Sequence, residues 1–375
     1  MNDFKKITDL KPANLIGKRV LVRVDFNVPL EKGQVVDDFR IQRSLPTIKF
    51  LQETGAKVIL ISHMGSGEDT LKPVALYLNK YLPIIFSNKV LDFEAVKDLN
   101  NGEVLLLENL RQHEGEASNN EAFAKELASL GEIYINEAFS ASHRAHASIV
   151  GVSRLLPSYA GLLFVEEYEN LSKVFNAPKP FTVIIGGAKF STKLPVIKKL
   201  APFSDNIFLG GALVHVLWKK MGYEVGQSLV DESVTDLDDI LKLKNVHLPQ
   251  DVVVQGEDGG KLNKLPDQVG SEDVISDAGP KTVGAIIKSI KEAKFTFWNG
   301  PLGFIEKGFM GSSQEIVEAI GKSDAYSIVG GGDTVGVINS LKAFDNFDFV
   351  STAGGASLEF IASGTLVGIE VLKNK

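Results

Sequence analysis

Short apolar segments rich in branched side chains recur along the chain, and stretches with helical spacing separate them. Apolar runs of strand length that alternate with helices are typical of a parallel sheet covered on both faces. In the first half, the predicted strands are 19–24, 57–61, 83–86, 104–107 and 133–135. In the second half, they are 182–185, 206–209, 251–254, 273–275, 295–298, 326–329 and 347–350. The pattern predicts an α/β protein built on parallel sheets.

The stretch 161–175 (GLLFVEEYENLSKVF) divides the pattern into two halves. It carries apolar residues at helical spacing, and the following NAPKP stops a helix at its prolines. A length of 375 residues predicts about two domains, each able to bury its own core. We therefore interpret 161–176 as a connecting helix between domains at 1–160 and 177–361. The alternative is an ordinary surface helix of the first domain.

Most of the unusual residues directly follow a predicted strand. These segments are VDFN (24–27), SHMG (62–65), ENLR (108–111), NEAFSASHRAH (136–146), GGAKFSTK (186–193), GGAL (210–213), DAGPKT (277–282), WNGP (298–301), GGGDT (330–334) and STAGGAS (351–357). Open α/β sheets bind ligands beyond the carboxyl ends of their strands. We expect each domain to present one such edge, and two edges that face each other would form a cleft.

The GGGDT segment has the composition of a phosphate site. Amide groups of Gly331 and Gly332 at a helix start attract anions, and the Asp333 carboxylate and Thr334 hydroxyl suit a magnesium-bound polyphosphate. A tight turn without a ligand explains the same glycines equally well. The segment alone therefore leaves both interpretations open.

The charge distribution places an anionic substrate in the first half. A net charge of −7 and a pI near 5.5 argue against a general nucleic-acid binder. All the arginines precede residue 155, at positions 19, 23, 40, 43, 111, 144 and 154. Arginine captures carboxylate and phosphate in bidentate geometry. Chance and ordinary surface salt bridges are the alternative explanation.

Other features of the composition limit the class of protein. The absence of cysteine excludes disulfide scaffolds, thiolate zinc sites and a thiol nucleophile, and it fits a reducing interior. The N-terminal segment MNDFKKITDL has no apolar signal core, and no run approaches the roughly 18 apolar residues of a membrane span. We predict a soluble cytoplasmic protein without nucleic-acid or membrane partners.

Several familiar catalytic motifs do not fit. The Walker A pattern would need a glycine where Ile316 precedes Gly321-Lys322-Ser323, and no early strand leads into GxGxxG. A GxSxG elbow is absent, and His143 and His146 have no acidic partner at zinc spacing. The residues that remain hold charge without an obvious nucleophile. Phosphoryl transfer has this requirement, since its catalyst positions two groups and stabilises charge on equatorial oxygens.

The motifs, taken in order, resemble those of one family. VDFNVPL, DDFRI, SHMG, LLENLR, EAFSASHRAHAS, GGAKFSTK, LPQDVVV, DAGPKT, WNGPLGFIE, GGGDT and STAGGASLE together are similar to phosphoglycerate kinase. Each block is weak alone, but the ordered set spans about residues 20 to 360 and is highly specific. The resemblance implies two Rossmann-like domains, each a parallel sheet of about six strands flanked by helices, with segment 362–375 packed back on the first. It also implies phosphoryl transfer from 1,3-bisphosphoglycerate to MgADP, which gives 3-phosphoglycerate and MgATP.

The resemblance also implies roles for individual residues. The expected 3-phosphoglycerate site contains Asp25, Phe26, Asn27, Arg40, His63, Met64, Gly65, Ser66, Arg111 and Arg144. The expected nucleotide site contains Lys193, Gly210, Gly211, Asn299, Pro301, Glu306, Gly331, Gly332, Asp333 and Thr334, with Asp333 on Mg²⁺. The expected catalytic groups are Arg40, Lys189, Lys193, Gly354 and Gly355.

Departures from the family pattern concern the substrate loop above all. The family continues its His-x-Gly with a substrate-binding arginine and a longer basic stretch, whereas this chain has Ser66 and a shortened loop, SHMGSGEDTLKP. We expect activity to survive with weaker binding of 3-phosphoglycerate. Smaller departures are Glu137 for aspartate, Ser-Ala-Ser at 140–142 for Gly-Thr-Ala, Ala212 for glycine, and Ala353 before the glycine pair.

Further expectations concern domain motion and two alternative functions. Substrates held on different domains require the cleft to close and exclude water, so we expect hinge bending in a monomer. A catalytically silent nucleotide-binding scaffold is one rival, supported only by the shortened loop and opposed by Arg40, Lys193 and Asp333. An NAD-dependent dehydrogenase is the other rival, and it lacks the dinucleotide fingerprint.

Overall fold

Strands and helices alternate along the chain in the computed structural model, which describes residues 4–232, 237–256 and 259–373. The chain divides into two compact units. The first unit comprises Met1–Glu169 with Thr365–Lys375, and the second comprises Asn170–Gly364. The assignment of one ligand to each unit stays a prediction.

The first unit is built on a six-stranded parallel sheet with strand order β5-β6-β4-β1-β7-β8. The strands are β1 (Arg19–Arg23), β2 (Leu30–Glu31), β3 (Gln34–Val35), β4 (Lys57–Ile61), β5 (Ile85–Phe86), β6 (Val104–Leu106), β7 (Ile133–Asn136) and β8 (Ser158–Ala160), of which β2 and β3 form a separate hairpin. Alternate residues of a strand face opposite sides of the sheet. Val20 and Val58 accordingly join one apolar cluster, whereas Leu21 and Ile59 join another. Apolar residues on both faces explain why these strands read as continuous apolar runs.

Helices cover both faces of this sheet. They are α1 (Phe39–Glu53), α2 (Lys72–Leu78), α3 (Phe93–Asp98), α4 (Glu121–Ser129) and α5 (Val152–Leu155), which follows a π-helical turn at Ala147–Gly151. Side chains of Asp92 and Asn120 cap α3 and α4 by accepting from the N–H groups of Ala95 and Phe123. Helix α6 (Leu162–Ser172) continues as a 3-10 turn at Lys173–Asn176 and leads into the second unit.

The second unit contains a six-stranded parallel sheet and a three-stranded antiparallel sheet. Its strands are β9 (Phe181–Ile185), β10 (Asn206–Leu209), β11 (Val246–His247), β12 (Val252–Gln255), β13 (Lys261–Lys264), β14 (Val274–Ala278), β15 (Phe295–Asn299), β16 (Tyr326–Gly330) and β17 (Phe349–Val350). The parallel order is β11-β10-β9-β15-β16-β17, and the antiparallel order is β13-β12-β14. Each unit therefore holds one doubly covered parallel sheet, as predicted.

The prediction placed two strands in the wrong sheet and missed several short ones, among them the hairpin strands β2 and β3. Segments 251–254 and 273–275 belong to the antiparallel sheet, because β12 buries only alternate residues, as a strand with one covered face does. Strand β13 (Lys261–Lys264) pairs with β12 in this sheet and was not among the predicted strands. Strands β8 and β11 were missed because three and two residues are too short for a periodic signal.

Helices connect the strands of both sheets in the second unit. They are α7 (Phe190–Leu200), α8 (Leu213–Lys220), α9 (Asp238–Leu241), α10 (Pro280–Glu292), α11 (Gly311–Gly321), α12 (Gly332–Ser340) and α13 (Gly355–Ser363). The last helix, α14 (Val367–Lys373), packs in the first unit, where Val371 joins a cluster with Ala141 and Ile149. Among the described residues, no single helix is long and apolar enough to cross a membrane, although α13 and α14 pass that test together as a bent pair.

Candidate active site

A buried carboxylate marks the carboxyl end of β1 in the first unit. The Asp25 carboxylate lies 3.3 Å from an Arg40 guanidinium nitrogen and accepts hydrogen bonds from the Ser140 hydroxyl and, at 3.1 Å, the Asn27 N–H. Burial alone would raise the pKa of Asp25, but Arg40 and Ser140 hold it well below its usual range. Arg40 also donates to the Asn27 carbonyl at 2.9 Å. An ionised Asp25 therefore fixes the direction of the Arg40 side chain.

His63, which follows β4, is neutral. Its Nδ1 atom lies 3.0 Å from Arg23 Nη2. Because a guanidinium only donates, Nδ1 accepts this bond, and the ring proton is on Nε2. Burial lowers the pKa of His63 to about 3, and Arg23, Arg111 and Arg144 act in the same direction, whereas Asp25 opposes them. The 3.7 Å approach of Asp25 to Nδ1 is thus no ion pair, and His63 offers Nε2–H as a donor.

The Arg23 guanidinium is buried and has its own counter-charge. Its Nε donates to Ser148 Oγ at 2.9 Å, and Ser148 donates to Glu116 through its hydroxyl at 2.6 Å and its N–H at 3.0 Å. Burial would raise the pKa of Glu116, but His146, Arg23 and Ser148 lower it. A buried charge is stable only with a partner of opposite sign. Glu116 is that partner, and it allows Arg23 to lie beneath His63.

The shortened loop after β4 is held by Asn109. The Asn109 side chain accepts from the Met64 N–H at 3.0 Å and donates to the carbonyls of Met64, Ser66 and Asp69 at 2.8, 2.8 and 2.9 Å. Within the loop, Asp69 Oδ2 accepts from the Ser66 N–H at 2.7 Å and from its hydroxyl at 3.2 Å. Both donors of Ser66 are therefore directed to a carboxylate of their own loop.

Arg111 and Arg144 complete a positive surface. Arg111 donates to the Gly65 carbonyl, and Arg144 Nε donates to His143 Nε2 at 3.1 Å. Burial lowers the pKa of Arg111, and Arg144 and Arg23 act in the same direction. Guanidinium groups that disfavour each other's charge form a surface suited to an anion. The structure therefore brings together the predicted residues Asp25, Asn27, Arg40, His63, Arg111 and Arg144, whereas Phe26 and Met64 are buried and hold the loops with their N–H groups.

Glycine turns of the second unit lie directly against one another. The Gly187 N–H donates to the Pro301 carbonyl at 2.8 Å, and the Leu213 N–H donates to the Gly187 carbonyl at 3.0 Å. Gly211 has a φ of 63°, and a Cβ atom there would lie 2.6 Å from the Gly187 nitrogen. Only glycine fits at this short distance. Backbone atoms rather than side chains therefore form this part of the surface.

Lys193 lies early in α7 and is bonded within the protein. Its Nζ donates to Asn299 Oδ1 at 2.7 Å and to the Asn299 carbonyl at 3.2 Å. Burial lowers the pKa of Lys193 to about 8, and Asp333 opposes this effect. The Asn299 Nδ2 atom is buried without a hydrogen-bond partner among the described residues. A free donor beside a buried ammonium group indicates a place for an anionic oxygen.

The start of α12 fits a nucleotide-bound magnesium ion. Gly331 has a φ of 101° and turns the chain from β16 into α12, with Asp333 exposed in the first helical turn. Mg²⁺ takes one or two carboxylates together with substrate phosphates. The described residues include no group of three or more His, Cys, Asp or Glu side chains able to hold a metal ion. The role of Asp333 as a magnesium ligand stays a prediction.

The remaining predicted catalytic groups lie at two helix starts. Lys189 precedes α7, and Gly354, with a φ of 54°, precedes α13, whose first residue is Gly355. Helices α7 and α13 follow β9 and β17 of one parallel sheet and pack against each other. Their starts therefore open at the same edge of the sheet.

A cavity of about 430 Å³ lies in the second unit. Of the predicted nucleotide residues, Gly210, Gly211, Pro301, Glu306 and Asp333 line it, and Lys193, Asn299, Gly331, Gly332 and Thr334 do not. The Thr334 hydroxyl is buried and accepts from the Gly300 N–H at 2.9 Å. The contact of Thr334 with phosphate stays a prediction.

Sequence reasoning missed the residues that support the site. The sequence offers a hint for Arg23, since a charged residue that ends an apolar strand needs a partner. It also offers one for Asn109, which lies inside the ENLR motif. Glu116 and His215, which lines the cavity, carried none because their contacts come from distant segments.

Residues 7–364 match the sequence model of the family described as phosphoglycerate kinase. The chain belongs to this family. Phosphoglycerate kinases of Dictyoglomus turgidum and Thermus thermophilus are 43% and 42% identical, each over 99% of this chain and 99% and 100% of their own lengths. The solved structure of phosphoglycerate kinase from Coxiella burnetii is 35% identical with a TM-score of 0.84 over 99% of both chains. That from Pyrococcus horikoshii is 26% identical with a TM-score of 0.86 over 98% of both chains.

Membership of the phosphoglycerate kinase family confirms the predicted activity, phosphoglycerate kinase, and with it the fold class and the enzyme class. The fold class is two parallel six-stranded sheets flanked by helices. The enzyme class is a phosphotransferase with a carboxyl group as acceptor. The roles of individual site residues stay predictions.

Proposed function

We propose that this chain transfers a phosphoryl group reversibly from 1,3-bisphosphoglycerate to MgADP, giving 3-phosphoglycerate and MgATP, in glycolysis and gluconeogenesis. Membership of the phosphoglycerate kinase family supports the reaction. One observation carries the assignment to residues: Arg111 and Arg144 lie near enough to His63 to lower its pKa, and Arg40 pairs with the Asp25 carboxylate beside it.

In this proposal the first unit binds the acid. Arg111 and Arg144 hold its anionic groups. Neutral His63 donates its Nε2–H to an oxygen of the acid. Asp25 keeps Arg40 in a single direction, so that less side-chain entropy is lost when Arg40 contacts the transferring group.

The second unit binds the nucleotide. Its phosphates would lie against Lys193, Asn299 and the start of α12, and its base would enter the cavity. When bound to these phosphates, Mg²⁺ neutralises part of their charge, and Asp333 would hold it. A phosphate beside Lys193 would raise the pKa of its ammonium group and keep it charged.

The step itself needs no proton transfer. A β-phosphate oxygen of ADP forms a bond to the phosphorus atom of the acyl phosphate, and the bond from phosphorus to the carboxyl oxygen breaks, so that its electron pair leaves with the carboxylate. Charge on the three equatorial oxygens would be stabilised by Arg40, Lys189 and the amides of Gly354 and Gly355.

Two finer expectations belong to this proposal. Since acid and nucleotide are assigned to different units, transfer requires the units to bring them together and exclude water. A monomer acting on free small molecules in the cytoplasm is the expectation that membership of the family carries.

The test is a coupled assay with 3-phosphoglycerate and MgATP on wild type, Arg40→Ala and Arg19→Ala. We expect Arg40→Ala to lose about two to three decades in kcat, as removal of a donor to transition-state charge does elsewhere. Arg19 pairs with Glu132 at the opposite edge of the sheet and should leave kcat unchanged. Absence of transfer by wild type would refute the function, whereas equal rates for wild type and Arg40→Ala would refute only the role of Arg40.

A further inference from the structure

The cavity of the second unit contains one side chain that the proposed reaction does not use. His215 lies on α8, four residues after Gly211, and lines the cavity together with Trp218. Leu229 and Phe304, which also line it, keep 65% and 39% of their surface exposed. Apolar side chains open to a cavity suit the faces of a flat heterocycle.

The hydrogen bonds of His215 determine which of its nitrogens carries the proton. Nδ1 lies 2.8 Å from the Leu229 carbonyl oxygen. Because a carbonyl only accepts, Nδ1 donates, and in a neutral ring Nε2 then carries a lone pair. Burial lowers the pKa of His215 below its usual value, so the ring is neutral at pH 7.

The second ring nitrogen of His215, Nε2, has no hydrogen-bond partner within the described part of the chain. No described residue donates to Nε2, and Nε2 is not among the fully buried atoms without a partner. His215 is 4% exposed and is one of the residues that line the cavity. A ligand in the cavity would supply the hydrogen-bond donor that Nε2 lacks.

We propose that His215 selects a 6-aminopurine over a 6-oxopurine at the base end of this cavity, an inference that rests on the proposed nucleotide site. The exocyclic amine of adenine would donate to Nε2. The 6-oxo group of hypoxanthine or guanine is an acceptor, and two facing acceptors repel each other and leave both unpaired. The lone pair thus distinguishes nucleotides that share ribose, phosphates and ring shape.

Two substitutions separate this role from a structural one. The amide of His215→Asn reaches about as far as Nδ1 and can still donate to Leu229, but it leaves nothing at the Nε2 position. The amide of His215→Gln reaches about as far as Nε2 and can place an acceptor oxygen there, but it loses the Leu229 bond. A purely structural histidine would favour Asn over Gln.

The experiment measures Kd by calorimetry for MgADP and for the magnesium complex of inosine diphosphate, with kcat/KM for the two triphosphates and the melting temperature of each variant. We expect wild type and His215→Gln to favour the adenine nucleotide about tenfold or more, and His215→Asn to favour it less than about threefold. Equal affinities in wild type, or full discrimination by His215→Asn, would overturn the inference while the proposed function stands. Failure of wild type to bind either nucleotide would instead overturn the proposed nucleotide site and the inference with it.

Discussion

Replacing Ser66 by arginine should strengthen binding of 3-phosphoglycerate, and the loop structure predicts that Asp69 limits the gain. A charge-assisted hydrogen bond to the substrate contributes about 1.5–3 kcal/mol, which corresponds to one to two decades in KM. In the wild-type loop, the N–H and hydroxyl of Ser66 both donate to Asp69 Oδ2, at 2.7 and 3.2 Å. The carboxylate that holds Ser66 is thus the nearest partner for an introduced guanidinium.

The competing ion pair reduces the effect without cancelling it. An exposed pair of this kind contributes about 0.2–1 kcal/mol. We therefore expect Ser66→Arg to lower KM for 3-phosphoglycerate about threefold to thirtyfold with little change in kcat. Combining it with Asp69→Asn, which keeps an acceptor oxygen for the loop N–H and removes the charge, should lower KM by a further twofold to fivefold.

The assay is the coupled reaction at fixed saturating MgATP, with 3-phosphoglycerate varied and ionic strength held constant. Glu68→Gln is the matched control, since Glu68 carries the same charge in the same exposed loop without accepting from Ser66. If Glu68→Gln lowers KM as much as Asp69→Asn does, loop charge alone explains the result. A KM that stays within twofold of wild type in both Ser66→Arg and the double variant would refute the reasoning.

Two further predictions concern stability and shape. Glu137 is fully buried, with Oε1 accepting from the Leu163 N–H at 3.1 Å, and burial raises its pKa to about 8. Because the folded state then keeps a proton that the unfolded state loses above about pH 4.5, stability should fall as pH rises towards 8. Glu137→Gln should therefore gain roughly 2–5 kcal/mol over wild type between pH 5 and 8.5 in urea unfolding, and a constant difference would contradict this. Small-angle scattering should show a smaller radius of gyration with 3-phosphoglycerate and nucleotide together than with either alone, and equal values would count against closure.

The parallel sheets were predictable because their information is local. Strands such as β4 and β9 are apolar on both faces, so five residues of sequence are enough to recognise each as a buried strand. The antiparallel strand β12 was equally visible, but its sheet was not, since an isolated VVVQ segment does not record which neighbours cover it. Elements of two or three residues, such as β11, owe their conformation to the strand beside them.

The predicted site residues stand out in the sequence for a different reason. Ligand chemistry restricts their type, so arginines and glycine turns stand out at strand ends whatever the surrounding fold. Asn109 and Thr334 belong to the same motifs, yet in the structure their side chains bond to backbone groups of neighbouring loops. A motif therefore predicts that a segment belongs to a site without predicting which of its residues contact a ligand.

The role of a supporting residue cannot be predicted from one sequence, because it depends on a contact with a distant segment. Glu116 balances Arg23 through Ser148, and its partners come from sequence segments separated by more than 30 residues. His215 is a stronger example, since only the Leu229 carbonyl decides which ring nitrogen keeps a lone pair. The same histidine with its proton on the other nitrogen would present a donor and favour the opposite class of purine. Base selection in this chain would thus be set by a backbone carbonyl, a group that no residue type in the sequence identifies.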